Sequence, residues 1–208
     1  ALLKIYDVPV AFLPKFSHPD PTVKRQSGFL IPRLQDNSSS GSSLNLPYFF
    51  ALAENKDITI SPRFFFNDKF LLQSEFRQKN KKSFHVADIS QYISSDNNSK
   101  GHFFYDFNKK YGTKNFNDID LNIELQQVTD ETYLKTFKID SPIIKNKTKL
   151  KNLLSLDFYN DNLSINTSFD VYEDLSKADS DKFEYVPNFS FSNIINNNYS
   201  IDSLGYYK

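Results

Sequence analysis

The chain has 208 residues, 39% of them hydrophobic and 16% aromatic, with equal numbers of acidic and basic side chains. A formal net charge of zero and a pI near 7.1 exclude a basic stripe for nucleic acid, and the absence of cysteine excludes a disulfide framework or thiolate metal site in this segment. No apolar run reaches the roughly 18 residues of a membrane-spanning helix, which leaves a membrane strand open.

The N-terminal stretch "IYDVPVAFLPKFSHPDP" is rich in proline and differs in character from the rest of the chain. Residues 1–19 are expected to form the last strand of another domain and a rigid connector, with residues 20–208 as a second unit. The chain has no methionine and opens inside the pattern "ALLKIYDVPVAFL", so a segment of a longer protein is expected. Beyond residue 25 the pattern alternates with period two, bounded by clusters of Asn, Asp, Gly and Ser. Ile58, Ile60, Pro62, Phe64 and Phe66 share one face, as do Phe70, Leu72 and Phe76, and Phe103, Tyr105 and Phe107. Further on, Ile119 to Leu125, Leu154 to Phe158, Leu163 to Val171 and Phe183 to Phe191 alternate in the same way. The exception is "TDETYLKTFKID", where Tyr133, Leu134 and Phe137 fall at helical spacing and predict a turn or two of helix in a longer loop.

There are about ten such segments, many near the length that a tilted membrane strand needs. Two architectures fit the alternation: a soluble sandwich with apolar faces packed sheet on sheet, and a membrane barrel with apolar faces toward lipid. Long strands, a second face of Asn, Ser, Asp, Glu, Gln and Lys, and aromatic residues at strand ends favour the barrel. The expected fold is therefore all-β, with an antiparallel transmembrane β-barrel favoured over the sandwich. Ile58, Leu121, Ile123, Leu156, Ile165 and Phe189 are expected on its lipid side, and Asn122, Glu124, Ser164 and Asn166 inside.

Two prolines interrupt strand-like runs, Pro32 in "RQSGFLIPRL" and Pro47 in "LNLPYFFAL". Proline cannot donate to a sheet ladder and is normally confined to edges, strand starts or bulges. From the residues alone, bulges or strand ends are the favoured reading of both. Other chemistry is thin. His18, His85 and His102 are too dispersed for a metal site, and His85, between Phe84 and Val86, is expected on the lumen side. Ser27-Gly28 lacks the Gly-x-Ser-x-Gly elbow of a hydrolase. Glu75 and Arg77 share a strand face and fit a salt bridge, and Asp118, Asp120, Glu124 and Asp157 fit lumen solvation.

The order "VPVAFLPKFSHPDP", "RQSGFLIP", "LPYFFALAENKDITISPRFF" and "EFR" resembles the LptD family of Gram-negative outer-membrane lipopolysaccharide-assembly proteins. The matching residues are Arg25, Ser27, Gly28, Phe29, Leu30 and Pro32; Pro47, Tyr48 and Phe49; Asp57, Thr59 and Pro62; and Glu75 and Arg77. Phe50 stands where the family pattern has Trp. The resemblance implies a periplasmic β-jellyroll feeding a barrel that is partial here, with an open edge; Leu2, Ile5, Val8, Val10 and Phe12 fit either the last rung of the jellyroll's apolar groove or plain core packing. It implies that Pro32 and Pro47 sit at a lateral gate through which lipopolysaccharide enters the outer leaflet. It further implies a transporter rather than an enzyme, no cofactor, and as partners the plug lipoprotein LptE, the periplasmic bridge protein LptA and outer-membrane lipids. A porin-like channel and a soluble β-sandwich binding module are the alternatives.

Overall fold

A computed structural model describes residues 2–5, 8–12, 25–38, 40–66, 69–93, 99–196 and 199–206. The strands β1 (Leu2–Ile5) and β2 (Val8–Phe12) pair antiparallel as a two-stranded sheet of their own. A hairpin thus stands where a single strand was expected, with its register shifting between Leu3 and Lys4. The expected rung of Leu2, Ile5, Val8, Val10 and Phe12 concerns side chains outside the described ones, as does His18.

Among the described residues, every later strand belongs to one 13-stranded sheet. Its leading part is made of short pieces: β3 (Gly28–Phe29), β4 (Arg33–Gln35), β5 (Ser43–Asn45) and β6 (Tyr48–Ala53). Long strands come next in chain order: β7 (Lys56–Phe65), β8 (Phe70–Lys79), β9 (Ser83–Ile93), β10 (Lys100–Tyr111), β11 (Asp118–Val128), β12 (Lys149–Tyr159), β13 (Leu163–Asp174), β14 (Phe183–Asn196) and β15 (Tyr199–Tyr206). From β7 onward each pairs antiparallel with its sequence neighbour, so the sheet is an open meander. A sandwich would need a second sheet packed on the first; all described strands from β3 on lie in one.

Local chemistry accounts for the turns. Asn160 accepts from the backbone N–H groups of Asn162 and Leu163 at 2.9 and 2.8 Å, closing the β12–β13 turn with its own side chain. Gly101 leaves no room for a side chain, since a Cβ there would lie 2.3 Å from the Ser90 carbonyl oxygen.

Register defines two faces. Ile58 lies opposite Phe76, Leu121 opposite Leu156, and Ile165 opposite Phe158 and Phe191, forming a continuous apolar face. Asn108, Asn122 and Ser155 form a row on the other face: the Asn108 amide donates to Asn122 Oδ1, and the Asn122 amide donates to Ser155 at 2.9 Å. There Lys110 also reaches Asp120 at 3.1 Å, beside Asp157.

Two expectations are corrected. The second face is not uniformly polar: Phe65, Leu71, Val86, Tyr92 and Phe104 lie on it, nearly solvent-free. The loop 129–148 explains them, because its short helix α1 (Tyr133–Thr136) folds onto that face and packs Tyr133, Leu134, Phe137 and Ile139 against them. Removal of water there makes apolar wall residues favourable. His85, expected inside, lies on the apolar face: it pairs across from Phe107, its Nδ1 is 2.9 Å from the Tyr105 hydroxyl, and its ring is 4.5 Å from that of Phe107. Phe84 and Val86, the apolar neighbours, take the other face.

The helix ends in a complete capping motif. Lys138 adopts a left-handed φ of 47°, its N–H reaches the Lys135 carbonyl at 3.2 Å, and the Ile139 N–H reaches that of Leu134 at 3.0 Å. Ile139 and Leu134, thereby brought together, are both fully buried.

Candidate functional site

The leading edge of the sheet is where the ladder fails. Gly28 and Phe29 face Phe49 and Tyr48, and Arg33 to Gln35 face Asn45 to Ser43. Between them Leu30, Ile31 and Pro32 stand opposite only Leu46 and Pro47, so the register slips by one, as in a β-bulge. Pro32 occupies the gap between β3 and β4, and Pro47 the gap between β5 and β6. One cross-strand bond survives in the gap, from the Leu30 N–H to the Pro47 carbonyl at 2.9 Å. On the other side the second strand (β5 and β6) keeps one register with β7 across Pro47, with Asn45 opposite Arg63 and Tyr48 opposite Ile60, and shifts only between Ala51 and Ala53. There the Leu46 N–H donates to the Pro62 carbonyl at 3.0 Å.

Side chains take over where backbone pairing lapses. The Asp57 carboxylate, with a side chain only 3% exposed, receives both Arg25 and Arg77, the latter at 2.8 Å. Arg77 also contacts Glu75 at 3.3 Å. The Arg25 guanidinium lies 5.7 Å from the centre of the Phe49 ring, within cation–π range. Ser27 Oγ accepts from the Ala51 N–H at 2.9 Å. On the apolar face, Phe29 meets Tyr48 edge-on at 4.8 Å, and Tyr48 meets Phe50 at 4.5 Å. Arg25, Ser27, Asp57, Glu75 and Arg77, scattered in sequence, thus converge at one end of the first strands. Gly28 is buried opposite Phe49, and Thr59, opposite Phe49 on the other side, lines the adjoining cavity.

Inside this edge lies a cavity of about 620 Å³. Its lining includes the apolar Leu30, Ile31 and Pro47, the cations Arg33, Arg63 and Arg77, and the carboxylates Glu75 and Asp140. Arg63 is 5% exposed and donates to the Phe137 carbonyl of the inserted loop. Arg63 Nε and Asn45 Oδ1 are buried without a hydrogen-bond partner.

The loop is anchored by a buried polar chain that local spacing does not reveal. Gln73 donates to Asp88 at 3.0 Å and to the Asp140 carbonyl at 2.9 Å. His102 Nε2 lies 3.3 Å from Asp88, an electrostatic contact without hydrogen-bond alignment. Ser90 Oγ lies 2.6 Å from both His102 Nδ1 and the Tyr133 hydroxyl. Asp88, Ser90 and His102 come together because β9 pairs with β8 and β10, a register no motif announces. The Ser90 hydroxyl is sealed beneath Tyr133, so the cluster anchors the loop and presents no nucleophile to a substrate. Burial pushes the Tyr133 hydroxyl up to about 12, against the opposing pull of its bond to Ser90. Nearer the loop's start, Asp130 is held below the ordinary carboxylate range by hydrogen bonds from Lys100 and Thr132.

An open antiparallel meander of long strands with one apolar face is the architecture of a partial β-barrel. A sequence model of the LptD protein family matches residues 1–139, and the chain belongs to that family. It is 28% identical over 190 residues to the LPS-assembly protein LptD of Pseudoalteromonas atlantica, covering 90% of this chain and 24% of that protein. The LptD of Pseudomonas aeruginosa (strain UCBPP-PA14) is 26% identical over 94% of this chain and 21% of its own length. That of Francisella tularensis subsp. novicida is 25% identical over 97% and 23%, respectively. The chain therefore spans about a quarter or less of these relatives.

Proposed function

We propose that the chain is part of an outer-membrane translocon that inserts lipopolysaccharide into the outer leaflet, and that Pro32 and Pro47, on the first two strands, soften the seam between the first and last strands of the barrel, through which the lipid leaves. The carrying observation is the broken ladder between the first two strands, beside a wall whose pairing is continuous. An amphiphile whose sugars cross a wet interior while its acyl chains move sideways needs a seam that opens. Each ladder bond opposes opening, because an unpaired backbone group in hydrocarbon costs several kcal/mol. Two prolines withhold two donors, and a net bond is worth ~0.5–1.5 kcal/mol. The bulge and the gate are then one device: the register slip keeps the strands adjacent, and the missing donors keep them weakly joined.

In this reading the apolar face meets lipid, residues 1–19 end a periplasmic jellyroll, and residues 20–208 form the N-terminal part of the barrel. A plug lipoprotein (LptE) and a periplasmic bridge protein (LptA) are its partners, and the protein is a transporter, not an enzyme. Affinity capture of the full-length protein from its own membranes without either partner would remove that part of the reading.

The decisive experiment replaces Pro32 and Pro47 with Ala in the full-length protein. The double variant is expected to fold and insert at wild-type levels but to deliver less lipopolysaccharide to the cell surface, with raised antibiotic permeability. Normal export by a well-folded double variant eliminates the gate, and poor folding without a selective export defect assigns the prolines to the bulge alone.

A further inference from the structure

We infer that the cavity inside the leading edge is an oxyanion site, in which Arg33 and Arg63 hold a phosphate or carboxylate borne by a saccharide. Register sets the two cations on one face: Arg33 is opposite Asn45, and Asn45 is opposite Arg63. Two strand spacings separate their backbones, roughly 10 Å, a span that two extended guanidinium side chains close around one tetrahedral anion.

Three arginines and two carboxylates line the cavity, and Glu75 is taken by Arg77 at 3.3 Å, so the charges around Arg33 and Arg63 are unbalanced. Elsewhere on this face the cations are matched: Arg25 and Arg77 share Asp57, and Lys151 meets Asp170 at 3.2 Å. Among the described residues, neither Arg33 nor Arg63 has a carboxylate at ion-pair distance. Asp140 acts on Arg63 electrostatically, yet its carboxylate is paired with Lys147 at 3.2 Å. Arg33 lies close enough to repel Arg63. A guanidinium 5% exposed, with Nε unpartnered and a second cation beside it, is costly to bury unless an anion completes the arrangement. Arginine supplies a planar fork that suits phosphate and carboxylate oxygens.

The walls indicate what carries the anion. Leu30, Ile31 and Pro47 line the same cavity, next to the weakened seam. A charged group held there would keep a saccharide inside while an attached lipid lies against the seam. That assignment of the carrier rests on the proposed lipopolysaccharide cargo; the oxyanion site itself does not.

Binding to the full-length protein in detergent tests both. The probes are a diphosphorylated glucosamine lipid (lipid A), its dephosphorylated form and inorganic phosphate. Wild type is expected to bind the phosphorylated lipid roughly tenfold more tightly than the dephosphorylated one, a preference that falls with added salt. Arg33→Gln, at an exposed position, is expected to reduce that preference to about threefold, and Arg63→Gln to reduce it at least as far. If Arg63→Gln fails to fold, Arg33→Gln carries the test alone. Equal binding of the two lipids overturns the site while leaving the cargo reading intact. Arg33-dependent binding of inorganic phosphate with neither lipid bound sustains the oxyanion site and defeats the saccharide carrier. Binding of none of the three overturns the proposal.

Discussion

The first two strands and the wall opposite the inserted loop use the same antiparallel ladder in opposite ways. Between β10 and β11 the pairing runs without a slip from His102 opposite Val128 to Tyr111 opposite Ile119. Between the first two strands it lasts for Gly28 and Phe29, lapses at the prolines, and resumes one residue out of step at Arg33. Backbone pairing is cooperative, and a long ladder opens as a unit. The leading edge instead leans on separate side-chain contacts: Asp57 with two arginines, Ser27 with Ala51, and the Phe29–Tyr48–Phe50 ring cluster. Contacts of that kind can be exchanged one at a time, so an edge built from them is firm in place yet separable.

The largest test of this contrast lies on the wall side. Leu134→Ala removes a fully buried side chain from the cluster under the inserted loop and is expected to weaken loop docking by ~2–5 kcal/mol. Protease cutting within 129–148 should rise sharply, with amide exchange at 28–29 and 48–53 unchanged and only Asp36 and Asn37, which bond the loop at Lys138 and Thr136, loosened with it. Coupled loosening of both regions would show that they are one unit.

Asp57→Asn acts on the other side. It leaves Arg25 and Arg77 without their shared anion, and a loss of ~1–3 kcal/mol is expected, confined to the first strands. Hydrogen exchange should quicken at 28–35 and stay slow in β10 and β11. A uniform change across the sheet breaks the comparison.

Titration separates the loop's anchors. Tyr133 has its folded value raised to about 12, so its contribution is complete below the ordinary tyrosine value of ~10 and is lost as pH rises from there through about 12. Asp130 is depressed, so its contribution is complete above ~3.9 and is lost as pH falls below that value. Loop protection measured by proteolysis should therefore be flat between these limits and decline outside them. In Tyr133→Phe the alkaline decline should shrink; an unchanged decline would assign it to another group.

The smallest expected effect is a gain. Lys138 takes a left-handed conformation that glycine adopts without strain, so Lys138→Gly should steady the loop by ~1 kcal/mol. A loss of protection would mean that the Lys138 amine, 3.1 Å from the Asp36 carbonyl, matters more than the backbone.

What the sequence determined by itself is what depends on neighbours along the chain. Period-two alternation yields long strands with two unlike faces, proline at 32 and 47 denies donors wherever those residues fall, and the spacing of Tyr133, Leu134 and Phe137 yields a helical turn. The tertiary structure decided everything that depends on which strand lies beside which. Alternation sorts His85 from Phe84 and Val86 but cannot say which of the two faces is inside; pairing with β10 set His85 against Phe107. Phe65, Leu71 and Phe104 could lie on an otherwise polar face only because a loop distant in sequence returns to cover them. The meeting of Arg25 with Asp57 and Arg77, and of Arg33 with Arg63 across Asn45, is likewise a product of register. Register is set by long-range backbone pairing, and a slip of one residue, such as that at Pro32, reverses every side chain beyond it.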